Sequence, residues 1–164
     1  MSAKVAIVFG GSRGIGAAIA LRLAKDGFDV ALACVSRPDQ TGDIASAIEN
    51  FGRHAVAIKA DSADPSAIRT AVAEAVQHLG TLDAAAVNAG VLRLASVEAF
   101  TLEDLDLSLD VNVRGAFLAI TDAVGATMSA AFERIIRKGQ AEGDFAGDLD
   151  PRIAAGSCRR PSWG

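Results

Sequence analysis

Hydrophobic and polar positions along the chain follow two rhythms that alternate. Residues Lys4 to Phe9 (KVAIVF) are apolar on both faces and rich in β-branched side chains, the pattern of a parallel strand covered by helices on each side. Glycines follow at once, and Ile15, Ala18, Ile19 and Leu23 then recur at helical spacing until Gly27 closes the segment. The rhythm repeats. Asp29 to Val35 (DVALACV) predicts a second strand, Ile44, Ile48 and Phe51 mark a helix closed by Gly52, and His54 to Lys59 (HAVAIK) predicts a third strand. Asp64 before Pro65 sets an N-cap oxygen ahead of a residue whose fixed φ suits a first helical turn; Ile68, Val72, Val76 and Leu79 line the buried face, and Gly80 ends it. Leu82 to Val87 (LDAAAV) predicts a fourth strand. Thr101, with Asp104 three residues on, starts a helical stretch that resumes through Val113, Phe117, Ile120 and Val124.

Strand and helix thus alternate four times, which predicts the α/β class: a Rossmann-like three-layer fold with a truncated parallel sheet in the order 3-2-1-4, followed by C-terminal helices. After about Gly125 the alternation stops. From Met128 to Ala155 the chain reads as helix or loop, with Gly139, Gly143 and Gly147 spaced through it, Phe132, Ile135 and Ile136 on one apolar face, and Asp150 with Pro151 starting a short helix. The closing GSCRRPSWG shows no period and is expected to fray.

Composition narrows the function classes. The chain has 164 residues, 51% of them hydrophobic, enough for one compact domain. A net charge of −4 gives no broad basic field, so neither nucleic acid nor an anionic membrane is expected as partner. No sequence run reaches the roughly 18 apolar residues of a membrane helix. The opening apolar run Val5 to Phe9 leads into glycines instead of a cleavage site and reads as a strand. Cys34 and Cys158 match neither metal-ligand spacing nor a disulfide framework, which points to the cytoplasm and to no metal. Tyrosine is absent.

Directly after the first strand stands GGSRGIG, residues 10 to 16, in which Gly10, Gly14 and Gly16 open a helix around Ser12, Arg13 and Ile15. A pyrophosphate must approach backbone N–H groups at a helix N-terminus, where the dipole is positive and a Cβ would obstruct. With a strand before it and a helix after it, the turn is a dinucleotide-binding candidate. The segment FGGSRGIG resembles the TGxxxGxG motif of the short-chain dehydrogenase/reductase family, with Phe9 where that family usually has Thr. The family's acidic residue after strand three corresponds to Asp61, next to Ser62. Its NNAG after strand four corresponds to VNAG, which supplies Asn88, Ala89 and Gly90, and the asparagine of its fifth helix corresponds to Asn112.

The resemblance implies an oxidoreductase of carbonyl or alcohol substrates whose residues 1–125 form an incomplete NAD(P)-binding domain, followed by a helical extension and tail over 126–164. An NAD site usually ends its second strand with a carboxylate that would repel a 2′-phosphate. Here Cys34 stands there, with Arg13, Ser36 and Arg37 as cationic and hydroxyl donors, so NADP is favoured over NAD. The family's serine and its YxxxK pair have no counterpart, which leaves Asn112 as the one catalytic candidate; neither His54 nor His78 is expected on the catalytic face. Dehydrogenase activity is therefore expected to be impaired, since a positioned general acid contributes on the order of 10² to 10⁴ in rate. The rival expectations are an oxidoreductase using another proton donor, and a nonenzymatic interaction protein or marginally folded product of gene fusion or truncation. Residues 131 to 155 resemble part of the ligand-binding half of TetR-type transcriptional regulators, without their helix-turn-helix, so a junction of two genes near residue 126 is a further expectation. The helix around Asn112 is expected to pair with its equal in a homo-oligomer, and strand four, as a bare edge, to associate with other chains.

Overall fold

The computed structural model describes residues 3–35, 38–148, 150, 151 and 153. Ser36 and Arg37, and the expected tail 156–164, lie outside the described residues. Four parallel strands, β1 (Lys4–Phe9), β2 (Phe28–Cys34), β3 (Ala55–Lys59) and β4 (Ala84–Val87), form one sheet in the order β3-β2-β1-β4. The helices are α1 (Gly14–Lys25), α2 (Pro38–Glu49), α3 (Pro65–Leu79), α4 (Leu102–Leu109) and α5 (Ala116–Glu142), with a π-helical turn at Asp110–Gly115 between the last two. The expected sheet order and class hold.

The period-two alternation of side chains divides the core between the two faces of the sheet. Val5, Ile7 and Phe9 of β1, with Ala31 and Ala33 of β2, pack against Ile68, Ala71, Val72 and Ala75 of α3 and against Ala119 and Ala123 of α5. Val8, Val30 and Leu32 face the other way, onto Ala20 and Ala24 of α1 and Ile48 of α2. The nearly unbroken apolar runs of β1 and β2 follow from this, because both faces are covered.

Local signals set the helix ends. Asp64 accepts from Ser66 N–H at 2.8 Å with Pro65 in the first turn, and Gly80 takes the left-handed conformation (φ +87°) that closes α3. Thr101 Oγ1 accepts from Asp104 N–H at 3.2 Å and starts α4. At the foot of the sheet, two carboxylates satisfy strand-end N–H groups: Asp83 Oδ2 accepts from Val5 N–H at 2.9 Å, and buried Asp29 accepts from His54 N–H at 2.8 Å.

Helix α5 runs through residues 125 and 126 without interruption and ends at Gly143 (φ +83°), so the glycine at 125 does not break it. A lone helix-interior glycine costs only about 1 kcal/mol, less than the packing of a 27-residue helix supplies. The continuous helical stretch Leu102–Glu142 is, by length and composition, apolar enough to cross a membrane, which corrects the expectation that no segment is. One face of it nevertheless belongs to the protein core, where Ala119 and Ala123 are buried. Its other face carries an apolar stripe in which Val113, Phe117, Ile120, Val124 and Met128 are each more than half exposed.

Candidate functional site: a glycine-lined cleft at the strand C-termini

The C-terminal ends of β1, β2 and β4 meet at the glycine turn, tied by backbone hydrogen bonds from Gly10 N to Ala33 O (2.7 Å) and from Asn88 N to Phe9 O (3.0 Å). Gly10 has φ +77°, and a Cβ there would stand 2.9 Å from Cα and N of Ala89. Gly16 is tighter still. Its Cβ would come to 2.0 Å from the Gly10 carbonyl oxygen and 2.9 Å from the Asn88 side-chain nitrogen. These two glycines therefore weld the turn to the VNAG segment. Gly14 differs: it has φ +54° and open space where a side chain would be, so it faces the mouth of the cleft.

Helix α1 begins at this mouth with no acidic residue in its first turn, which leaves the positive end of its dipole open to an anion. Arg13 occupies the N-cap in extended conformation, makes no side-chain cap, and is exposed, as are Gly14 and Ile15. Ser12 is half-buried beside them. Cys34 ends β2 with its Sγ 3.3 Å from Thr41 Oγ1 of α2, so the position bears a thiol and no carboxylate.

After β3, Asp61 Oδ1 accepts from Ala63 N–H at 2.9 Å and shapes its own turn. The carbonyl of the next residue, Ser62, rests on the π-helical turn, where a Cβ on Gly115 would come to 2.0 Å from it. Asn112 lies in the same turn. Its Oδ1 accepts from Val91 N–H at 2.9 Å, and its Nδ2 donates to Val91 O at 2.8 Å. Both polar atoms of its side chain are thus engaged by the loop after β4, and Gly90 sits against it. The expected residues from the glycine turn, from VNAG, and at Asp61, Ser62 and Asn112 accordingly gather around one end of the sheet; Ser36 and Arg37 lie outside the described residues. His54 and His78 are at the other end, at the start of β3 and in the last turn of α3. Among the described residues no three of His, Cys, Asp and Glu cluster as for a metal ion.

Three contributors were not singled out from the sequence. Gly115 was legible as a glycine inside a helical period, where its cost usually has a packing reason. Val91 contributes only backbone and Thr41 only a hydroxyl toward Cys34, and nothing in the local pattern marks either.

The sequence matches the family model for short chain dehydrogenases over residues 4–139. That match extends into the segment with the regulator-like resemblance. A curated relative, a short-chain dehydrogenase/reductase from Hericium erinaceus, is 38% identical over 75% of this chain and 50% of its own length. A solved short-chain dehydrogenase/reductase from Serratia marcescens is 47% identical, with a TM-score of 0.74 over 78% of this chain and 52% of its own. A blue fluorescent protein from a metagenomic library, solved in complex with NADPH, is 42% identical, with a TM-score of 0.73 over 78% of this chain and 53% of its own. The chain spans about half the length of the curated relatives it matches. Sheet order, glycine geometry and sequence agree: this chain belongs to the short chain dehydrogenase family.

Proposed function

We propose that this chain is an NADP(H)-binding module of the family, with little dehydrogenase activity of its own. The observation that carries the reading is the glycine turn: Gly10 and Gly16 leave no room for a Cβ, while Gly14 stands open at a helix N-terminus free of acidic residues. That asymmetry suits a backbone cradle for a pyrophosphate. Gly10, Ser12, Gly14 and Gly16 hold the phosphates, with Ile15 at the mouth. Asp61 and Ser62 border the adenine, and Asn88, Ala89 and Gly90 wall the far side. When bound, the nicotinamide supplies a hydride donor or acceptor. NADP is preferred over NAD because Cys34 replaces a carboxylate and Arg13 is an exposed cation at the N-cap; Ser36 and Arg37 are assigned to the same phosphate.

The chain contains no tyrosine, and Asn112, the one catalytic candidate, has its amide held by Val91. It acts here as a positioning residue for the wall after β4. Residues 1–125 and the continuation 126–164 are proposed as the two parts of the chain, joined through α5, which spans the boundary, and a reducing cytoplasm as its setting, on the strength of the free thiol at Cys34. The likeness of residues 131–155 to a regulator half carries no ligand assignment. Binding without turnover is the expected behaviour: micromolar NADPH affinity, abolished by Gly14→Asp, and no NADPH oxidation with a panel of ketones and aldehydes. Turnover by the unmodified chain that Gly14→Asp removes would overturn the impairment and favour an alternative proton donor.

A second reading, a nonenzymatic interaction protein, is favoured by the apolar stripe on α5. Facing copies of that stripe would make a homo-oligomer through the helix beside Asn112.

A further inference from the structure

Helix α4 does not pass directly into α5: the residues Asp110–Gly115 between them form the π-helical turn. Such turns are rare and occur mostly at functional sites, because they re-aim side chains that a regular helix would place elsewhere. This one touches two walls of the cleft. Asn112, in its middle, holds the loop after β4 through the hydrogen bonds to Val91 N–H and Val91 O at 2.9 and 2.8 Å. Gly115, at its end, is buried against the carbonyl of Ser62 in the turn after β3.

Gly115 has ordinary right-handed helical angles (φ −62°, ψ −44°), so its backbone does not call for glycine. Space does. A Cβ there would lie 2.0 Å from Ser62 O and 3.0 Å from Asp110 O, and both are backbone atoms that cannot swing aside as a long side chain would. The turn that presents Ser62 is closed on itself: Asp61 Oδ1 accepts from Ala63 N–H at 2.9 Å, and Asp61 O accepts from Asp64 N–H at 3.1 Å. Ala60 N–H, donating to Cys34 O at 3.0 Å, anchors one end of it, and α3, capped by Asp64, anchors the other. Ser62 therefore shifts only together with Asp61, so whatever displaces its carbonyl displaces both residues assigned to the adenine.

We propose that the π-helical turn is a brace across the nucleotide cleft: Gly115 is the positioning residue for the adenine wall, Asn112 holds the wall after β4, and a ligand that fills the first wall steadies the second. This deepens the nucleotide-binding reading and rests on it. A ligand seated on Asp61 and Ser62 orders the turn after β3, which bears on Gly115. Ordering Gly115 damps the motion of Asn112 in the same turn, and the Val91 N–H that Asn112 accepts from opens to water less often.

The test uses the full chain, shown to be folded by circular dichroism, with NADPH and with adenosine 2′,5′-bisphosphate, which carries the adenine and the 2′-phosphate but no nicotinamide. Gly115→Ala should weaken both ligands alike, by about ten-fold or more, whereas Asn112→Ala should weaken NADPH more than the bisphosphate. In the unmodified chain, saturation with the bisphosphate should slow hydrogen exchange at Val91 N–H by about three-fold or more, an effect that a glycine needed for packing alone would not produce. Slowed exchange supports the brace even if Gly115→Ala fails to fold. An exchange rate at Val91 unmoved by bound bisphosphate overturns the brace alone, as does a folded Gly115→Ala chain that binds the bisphosphate as tightly as the unmodified one. An unmodified chain that takes up neither ligand overturns the nucleotide-binding reading and the brace with it.

Discussion

At the scale of single residues, the glycine turn separates two roles that look alike in the sequence. Gly16→Ala drives a methyl into the Gly10 carbonyl, so it should lower stability by several kcal/mol, on the order of an overpacked core position, and should show as an early thermal transition. Gly14→Asp meets no atom but puts Asp in the left-handed region (φ +54°), at a cost of about 1 kcal/mol, and leaves a carboxylate where an anion is to bind; it should lower the melting temperature by only a few degrees while binding is lost, as calorimetry would report. The glycine spacing was readable from sequence, but which glycine is steric and which is open was not, because that depends on Asn88 and Ala89 arriving from 72 and 79 residues further along the chain. Asp122 is a second residue-scale case. Its Oδ2 is sealed from water without a hydrogen-bond partner, and burial raises its carboxyl above the ordinary range, only partly offset by Arg69 at 3.9 Å. A raised acid binds more protons folded than unfolded, so its charged form opposes folding at neutral pH and that penalty disappears as pH falls through the folded value. Asp122→Asn should therefore stabilise the chain at pH 7. The gain should shrink toward acid in denaturant titrations; a gain that grows as pH falls would contradict this.

At the scale of elements, the strands and capped helices were the most legible parts. Asp64-Pro65, Thr101 with Asp104, and the terminal glycines work through contacts within one turn, so spacing alone reveals them. Strand limits shifted by one or two residues: β2 takes Phe28 and leaves out Val35, and β4 begins at Ala84 instead of Leu82. Neighbouring strands decide where pairing stops, and that register is not local. The π-helical turn was invisible for a similar reason. It widens the helix where Gly115 meets Ser62 and Asn112 reaches Val91, both contacts between distant segments. Asn112→Ala removes two hydrogen bonds and frees the loop after β4. NADPH affinity should fall about ten-fold with circular dichroism unchanged, and Asn112→Asp, which keeps only the acceptor, should fall between the two.

At the scale of the whole molecule, composition indicated a core-forming chain and the alternation of strand and helix its α/β class, while the change in pattern near residue 126 suggested a boundary that α5 crosses as one helix. Helical periodicity with a lone glycine looks interrupted in sequence, while tertiary packing carries the helix through. The stripe from Val113 to Met128 is an exposed apolar feature, and exposed patches of this kind usually mark contact surfaces. If copies associate through it, Phe117→Glu with Val124→Glu should shift sedimentation from dimer to monomer without loss of helicity. An unchanged sedimentation coefficient would place the association elsewhere.

A calorimetric titration of the folded chain with NADPH and then NADH reads out the glycine-lined cleft. The expected result is micromolar NADPH binding, at least about ten-fold tighter than NADH because the 2′-phosphate gains a charge-assisted contact, and lost in Gly14→Asp. A folded chain that takes up neither nucleotide would contradict it.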